Sequence, residues 1–284
     1  MHKRASTRSA LTPEQATLNS HRIALGIEYD GSTYSGWQKQ KFPQQETVQQ
    51  YLETAISKVA DRDVVVSCAG RTDAGVHATC QVVHFDTEID RGTKAWTEGV
   101  NSMLPRTIRV VWSRAQEDDF HARFSALSRR YMYLMYRRDT QSAMLHRRAS
   151  YFRRELDEVS MHAAAQHFLG NQDFTSFRAA GCQSKTAMRN VMHANIYRQG
   201  GFLIFDVRAN AFLQHMVRNM MGSLLQVGSG DKDPAWIGEL LSLQDRSLAA
   251  PTALPDGLYL VGVEYPQVCA LPSEISQPDL LLAI

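Results

Sequence analysis

The order in which apolar alternation gives way to helical periodicity constrains this chain more than any other feature. Ile23–Tyr29 alternates as a strand and stops at the turn residues Asp30-Gly31-Ser32. Glu46–Val59 has helical spacing, with Thr47 as its cap and Val48, Leu52, Ala55, Ile56 and Val59 on one face. Val64–Ala69 and Gln81–Asp86 read as strands, Lys94–Met103 as a helix stopped before Pro105, and Ile108–Trp112 as a strand. Strand, helix, strand, strand, helix, strand is the ferredoxin-like order. The second half repeats it. Tyr131–Tyr136 reads as a strand, and Leu156–Leu169 as a helix stopped by Gly170-Asn171. Arg189–Tyr197 and Phe202–Ala209 form a hairpin across Gly200-Gly201. Leu213–Val227 and Trp236–Leu243 read as helices, and Tyr259–Val263 as the closing strand.

The predicted class is α+β: two ferredoxin-like, RRM-like βαββαβ halves, duplicated in element order more than in residue identity. The expected division is a disordered extension over 1–21, a first half over 22–115, a second over 116–265, and a tail over 266–284 with no clear element. Asp139–Ser150 is the expected linking or inserted segment.

With 284 residues and 44% hydrophobic content, the chain can bury a sizeable core. Its four cysteines form no CxxC pair and no zinc spacing, so they read as buried or free thiols of a reducing compartment. No apolar run approaches membrane-spanning length. The first twenty residues lack the apolar core of a secretory signal, although their Arg and Ser content permits a transit-peptide reading. A net charge of +2 does not announce a nucleic-acid binder, but its distribution does more. Between Arg106 and Arg154 arginines far outnumber acids, among them Arg109, Arg123, Arg129, Arg130, Arg147 and Arg148. Guanidiniums in such number suit phosphate, so an RNA-facing patch is expected.

Between the strands around Val66 and Val82 lies a loop of small and polar residues, with Asp73 between Gly70 and Gly75. A carboxylate on a loop framed by strands is anchored yet reachable. Locally, Asp73 is either a turn residue or a reacting group, Arg71 a solvated charge, and His77 a satisfied histidine.

The longer string G-R-T-D-A-G-V-H-A-x-x-Q-V-V-H-F, Gly70 to Phe85, resembles the signature of the tRNA pseudouridine synthase A family. Further matches run from Arg22 to Tyr265. YDGSTYSGWQKQ resembles the family's opening motif, where Tyr34, Trp37 and Gln38 either line a channel or pack. FHARFSALSRRYMYLMY resembles F-H-A-R-F-S-A-x-x-R-x-Y-x-Y, and DFTSFRAAGCQSKTAMRN resembles D-F-x-S-F-x-x-x-x-C-x-S-x-x-x-x-R. The resemblance implies one broad, mostly antiparallel sheet with a central cleft between the halves. It implies Asp73 as the catalytic aspartate, Arg71 tied to base flipping, and Tyr131 stacked on the target base. Arg218, in AFLQHMVRNMMGSLLQVG, needs an anion among apolar neighbours, and the family pairs it with the aspartate. Leu258 packs beneath the base; Asn210 and His215 are weaker candidates. Phe120, His121, Ala122, Arg123 and Phe124 are expected at the RNA, as are Gly181, Cys182, Gln183, Ser184 and Lys185. Cys182 is read as a packed thiol and not a nucleophile. Tyr133, Tyr136, Phe174 and Phe177 are read as structural.

The implied activity is isomerisation of uridine to pseudouridine at positions 38, 39 and 40 of the tRNA anticodon stem-loop. It is expected to need no metal, nucleotide or redox cofactor, and to be performed by a cytoplasmic homodimer sharing one tRNA. The sequence departs from the family in its long N-terminal extension, its C-terminal tail, and Gln214 where His often stands. Two rivals remain: a non-catalytic RNA-binding protein of tandem RRM-like modules, and an aspartate glycosidase. The first lacks the K/R-G-F/Y-G/A-F-V-x-F/Y string; the second wants another carboxylate across the cleft.

Overall fold

The structure, a computed structural model, describes residues 21–40, 45–272 and 275–282. The expected N-terminal extension thus lies outside the described residues, except for His21, which opens β1 (His21–Tyr29). α1 (Val48–Ala60) follows Thr47 and buries Val48, Leu52, Ala55 and Ile56, the face its periodicity marks. β2 (Ser67–Cys68) and β3 (His77–Thr87) come next. α2 (Gly92–Lys94), a π turn (Ala95–Gly99) and α3 (Val100–Met103) make one helical run before β4 (Ile108–Gln116). The second half comprises β5 (Ser128–Arg137), β6 (Ser150–Phe152), α4 (Glu158–Gln166), β7 (Gly170–Asp173), β8 (Met188–Gln199) and β9 (Phe202–Ala209). α5 (Met216–Gly228), α6 (Trp236–Leu243) and β10 (Leu258–Glu264) complete it.

All of these strands join one 10-stranded sheet in the order β4-β1-β3-β10-β5-β9-β8-β7, with β2 on β3 and β6 on β5. Within it β4-β1-β3-β2 and β10-β5-β9-β8 are the same ferredoxin-like order, every neighbour antiparallel. The halves meet where β10 runs parallel to β3. The second half therefore follows the first in the same sense along the sheet.

That junction places the Asp73 loop. β3 offers one edge to two strands: β2 pairs at Val83 and His84, β10 at His77 and Ala78. Between those pairings residues 69–76 leave the sheet. The strand expected over Val64–Ala69 is cut to two residues because side chains of α1 take its backbone donors. Val64 N donates to Ser57 Oγ at 2.9 Å and Val66 N to Glu53 Oε1 at 3.2 Å, so neither joins the ladder.

Other expectations need correction. Gly170-Asn171 does not simply stop a helix: α4 ends at Gln166 and Gly170 opens β7. α5 begins at Met216 rather than Leu213 because His215 adopts φ 61°, a left-handed conformation outside the helix. Asp139–Ser150 is the inserted segment of its two expected readings and not a link between the halves. It lies between β5 and β6 and folds back on the first half, where His77 Nε2 meets Arg147 O at 2.8 Å and Arg147 Nη1 donates to Ser32 O at 2.6 Å. The tail also has structure. The helices and the main core take one face of the sheet, and along β5 Tyr131, Tyr133 and Met135 belong to that core. Met132, Leu134 and Tyr136 join a smaller core on the other face, with Phe202, Ile204, Val261 and the tail residue Leu281. Ser276 N donates to Val261 O at 3.0 Å, and Gln199 Nε2 to Leu281 O at 3.2 Å.

Candidate active site

The Asp73 loop is held on three sides. Gln81 Nε2 donates to Gly70 O at 2.6 Å, and Gln81 Oε1 accepts from Gly70 N at 3.3 Å. Thr72 Oγ1 lies 2.8 Å from Tyr29 OH, and Thr72 O accepts from Trp37 N at 3.0 Å. Gly36, at φ 90°, lies so close that a Cβ would stand 2.9–3.1 Å from the backbone of Thr72, Asp73 and Ala74. Gly75, at φ 81°, packs against Pro255, whose Cγ would stand 2.9 Å from a Cβ there. Tyr34 and Trp37 are buried and brace the loop rather than lining a channel, and Gln38 binds Gln49 Oε1 at 2.8 Å.

Asp73 itself is partly exposed, and the second half meets it. Arg218 Nη1 donates to Asp73 Oδ2 at 2.9 Å, while Arg218 Nε is aimed by Ala253 O at 2.8 Å. His215 Nε2 stands 3.6 Å from the same carboxylate oxygen. Tyr131, buried on β5, has its hydroxyl 3.6 Å from where a Cβ on Gly70 would lie, so the phenol reaches the root of the loop. Burial, reinforced by the charge of Asp73, pushes the Tyr131 pKa up, so the phenol stays protonated. Leu258 is buried opposite Tyr133, two residues along from the Leu260–Tyr131 pair and on the same face. Arg71 is exposed, and among the described residues its side chain makes no hydrogen bond or ion pair. Asp73, Arg218 and Tyr131 are thus brought together, while Arg71 is exposed two residues before Asp73 and Leu258 is buried on the sheet face that carries Tyr131.

Sequence reasoning missed Phe212, whose ring meets Tyr131 edge-on at 5.1 Å, and gave His215 too little weight. Phe212 stands in the AFLQHMVRNMMGSLLQVG string, three residues before His215 and six before Arg218, but is not singled out within it. Asn210 is a turn residue, its Oδ1 accepting from Asn190 N at 3.0 Å and Ala211 N at 2.9 Å.

The 120–124 segment divides. Phe120 and Ala122 are buried anchors, Ala122 N donating to His84 Nδ1 at 3.1 Å and Ala122 O accepting from Tyr265 OH at 2.6 Å. Their side chains do not face RNA as expected, because the core needs them. His121 Nδ1 accepts from Arg123 N at 3.1 Å and Phe124 N at 3.3 Å, which presents those two side chains outward. Phe124 is 75% exposed with Arg123 over its ring.

Gly181, Gln183 and Lys185 are exposed, with Cys182 and Ser184 half-buried between them. Arg178 Nη2 donates to Cys182 O at 2.9 Å and Ser184 O at 2.7 Å, fixing the loop. At Cys182 burial raises the thiol pKa, but hydrogen bonds from Gln214, Ser184 and Arg178 more than offset it and leave it below the ordinary value. Gln214 N lies 3.5 Å from Cys182 Sγ.

The arginine-rich stretch is not one patch. Arg130 pairs with Asp206 at 2.7 Å, Arg109 donates to Pro105 O at 2.8 Å, and Arg129 is 8% exposed and bound wholly to carbonyls. Burial pulls the Arg129 pKa down, partly countered by Tyr265 and Tyr131. Arg106, Arg123, Arg137, Arg138, Arg147, Arg148, Arg153 and Arg154 remain exposed. Among the described residues no group of three His, Cys, Asp or Glu is arranged to hold a metal, and no helix is long and apolar enough to cross a membrane.

A partly exposed carboxylate is thus met by an arginine at the junction of two ferredoxin-like halves. The family model described as tRNA pseudouridine synthase matches residues 26–125 and 164–266. "tRNA pseudouridine synthase A" of Enterobacter sp. (strain 638) is 54% identical over 261 residues, 92% of this chain and 96% of that protein. Proteins of the same name from Escherichia coli (strain SE11) and Vibrio vulnificus (strain YJ016) are each 53% identical, over 94% and 92% of this chain and 98% of their own lengths. The chain belongs to the tRNA pseudouridine synthase family. It has the pseudouridine synthase fold and is an isomerase.

Proposed function

We propose that this enzyme converts uridine to pseudouridine at positions 38, 39 and 40 of the tRNA anticodon stem-loop, with Asp73 as the catalytic group. The observation that carries the reading is the Asp73–Arg218 contact of 2.9 Å, made by a partly exposed carboxylate beside Tyr131. Arg123, Lys185 and the other exposed cations take phosphates, and Phe124 takes an unstacked base. The target nucleotide leaves its stack with Arg71 at the rim and stacks on Tyr131 above Leu258. Asp73, aimed by Arg218, attacks C1′ of the ribose or C6 of the uracil, or assists glycosidic cleavage electrostatically. The freed uracil turns and rejoins through C5, whose proton passes to a base. The isomer has the atoms of its substrate, so no oxidant, reductant or group donor is consumed, and no metal or cofactor is invoked. The enzyme works in the cytoplasm as a homodimer whose subunits share one tRNA.

The test is pseudouridine mapping of transcript tRNA incubated with the protein. Asp73→Asn is expected to lower turnover by roughly 10³-fold or more, the scale of losing a catalytic group, while RNA affinity is largely kept. A measurably active Asn variant would count against nucleophilic and electrostatic roles alike. Release of free uracil would favour a glycosidase.

A further inference from the structure

His215 faces more than Asp73. It also lines an open concavity of about 800 Å³ with Gly181, Gln214, Asn219, Arg246 and Thr252. The polar wall of this concavity is a closed network. Asn219 Oδ1, fully buried on α5, accepts from Arg246 Nη2 at 3.1 Å and from Thr252 Oγ1 at 2.7 Å. Its Nδ2 donates to Phe177 O at 2.8 Å, which fixes the orientation of the amide. Arg246 Nη2 donates further to Thr252 Oγ1 at 3.2 Å, and Nη1 to Ala249 O at 3.3 Å. Every partner of this guanidinium is neutral, and among the described residues no carboxylate forms an ion pair with it. An arginine oriented by neutral acceptors keeps its full charge for an outside anion.

The neighbouring residues say which anion. Asn219 directly follows Arg218, so one turn of α5 aims both the guanidinium on Asp73 and the one in the concavity. Ala179, Ala180, Gly181 and Ala249 keep the remaining wall low enough for a sugar-phosphate chain to approach. His215 borders both this concavity and Asp73, whose Oδ2 lies 3.6 Å from its Nε2.

We propose that this concavity is a phosphate subsite for the RNA strand, in which Arg246 takes a backbone phosphate next to the target nucleotide. The proposal rests on the reading of the Asp73 cleft as the place where a uridine is isomerised. It extends the RNA footprint to the segment between α6 and β10, which no sequence motif marked.

The test is equilibrium binding of an anticodon stem-loop RNA to the full chain over a range of salt, with wild type, Arg246→Gln and Arg246→Lys. One single-strand phosphate contact contributes about 0.7 to the slope of log K against log salt. Arg246→Gln is expected to lose that slope, and Arg246→Lys to keep it. A methylphosphonate beside the target uridine should take the same slope from wild type and nothing more from Arg246→Gln, which ties the charge to the RNA chain. An unchanged slope in Arg246→Gln overturns the proposal. So does an equal loss in both variants accompanied by lower melting temperatures, which marks Arg246 as a brace. Pseudouridine formation by the wild type is scored separately, so failure of the isomerase reading is not confused with failure of the subsite.

Discussion

Arg129→Met removes the guanidinium on which three segments converge. Arg129 Nε and Nη2 donate to Ala69 O at 3.1 and 2.8 Å, and Nη1 donates to Ala126 O at 3.1 Å and Asn210 O at 3.0 Å. Nη2 also reaches Arg123 O. Methionine keeps the apolar stem but leaves four carbonyls without this donor. Hydrogen bonds to a charged group contribute about 1.5–3 kcal/mol each when deleted singly. Relief of the buried charge offsets much of that sum, and with carbonyls left unpaired at about 1–3 kcal/mol each the net loss is about 3–5 kcal/mol. At about 2–4 °C per kcal/mol for a domain of this order of size, the melting temperature falls by roughly 6–20 °C. The alternative, in which Arg129 binds RNA phosphate, predicts the reverse: no change in melting, and a salt slope reduced by about 0.7–0.9. Thermal denaturation beside a salt titration of RNA affinity separates the two. A variant melting within about 2 °C of wild type, with a reduced slope, refutes the bracing argument.

Burial, then the positive charges of His121 and Arg22, holds the His84 pKa down to about 4 from 6.5. The unfolded chain binds a proton that folded His84 does not, so the stability it contributes is complete above 6.5 and lost as pH falls towards 4. His84→Gln should flatten the pH dependence of melting in that window; an unaltered profile rejects this. Gly36→Ala puts a methyl against the Asp73 backbone at positive φ, costing about 1–3 kcal/mol and lowering kcat, read by melting and turnover together. Phe124→Ala should weaken RNA binding by about 1–3 kcal/mol without shifting melting, since the ring is 75% exposed; wild-type affinity would remove Phe124 from the interface.

The element order was legible because alternation and helical faces are local properties. What failed was what depends on distant partners. Val64 and Val66 have strand residues, but Ser57 and Glu53 of α1 claim their N–H groups. The tail shows no periodicity, yet Leu281 finishes a core formed by strands far away in sequence. The arginine count misled for a reason visible in the sequence. Arg129 and Arg130 are neighbours on a strand, so their side chains leave opposite faces and cannot share one phosphate patch. At the site the Asp73 loop, Tyr131 and Arg218 stood in recognisable strings; Phe212 shares the string of Arg218, but only the folded chain sets its ring against Tyr131, and Arg246 stands in no such string.

The direction of dependence between the ion pair and the fold can be decided from magnitudes. Asp73 and Arg218 have side chains 26% and 15% exposed, and a pair so open contributes at most about 1 kcal/mol. The halves are joined instead by β10, which ladders along β5 within the second half and reaches across to β3. Ala253 O on Arg218 and Pro255 against Gly75 add to that join. The pair therefore does not hold the halves together; the halves hold the pair. Because β2 and β10 share one edge of β3, the chain between Cys68 and His77 has no strand to continue into and must carry Asp73 out of the sheet. Tandem repetition of one ferredoxin-like unit leaves such a shared edge only where the two copies meet. That is where a carboxylate of the first copy can be met by a guanidinium of the second, and neither copy alone contains both.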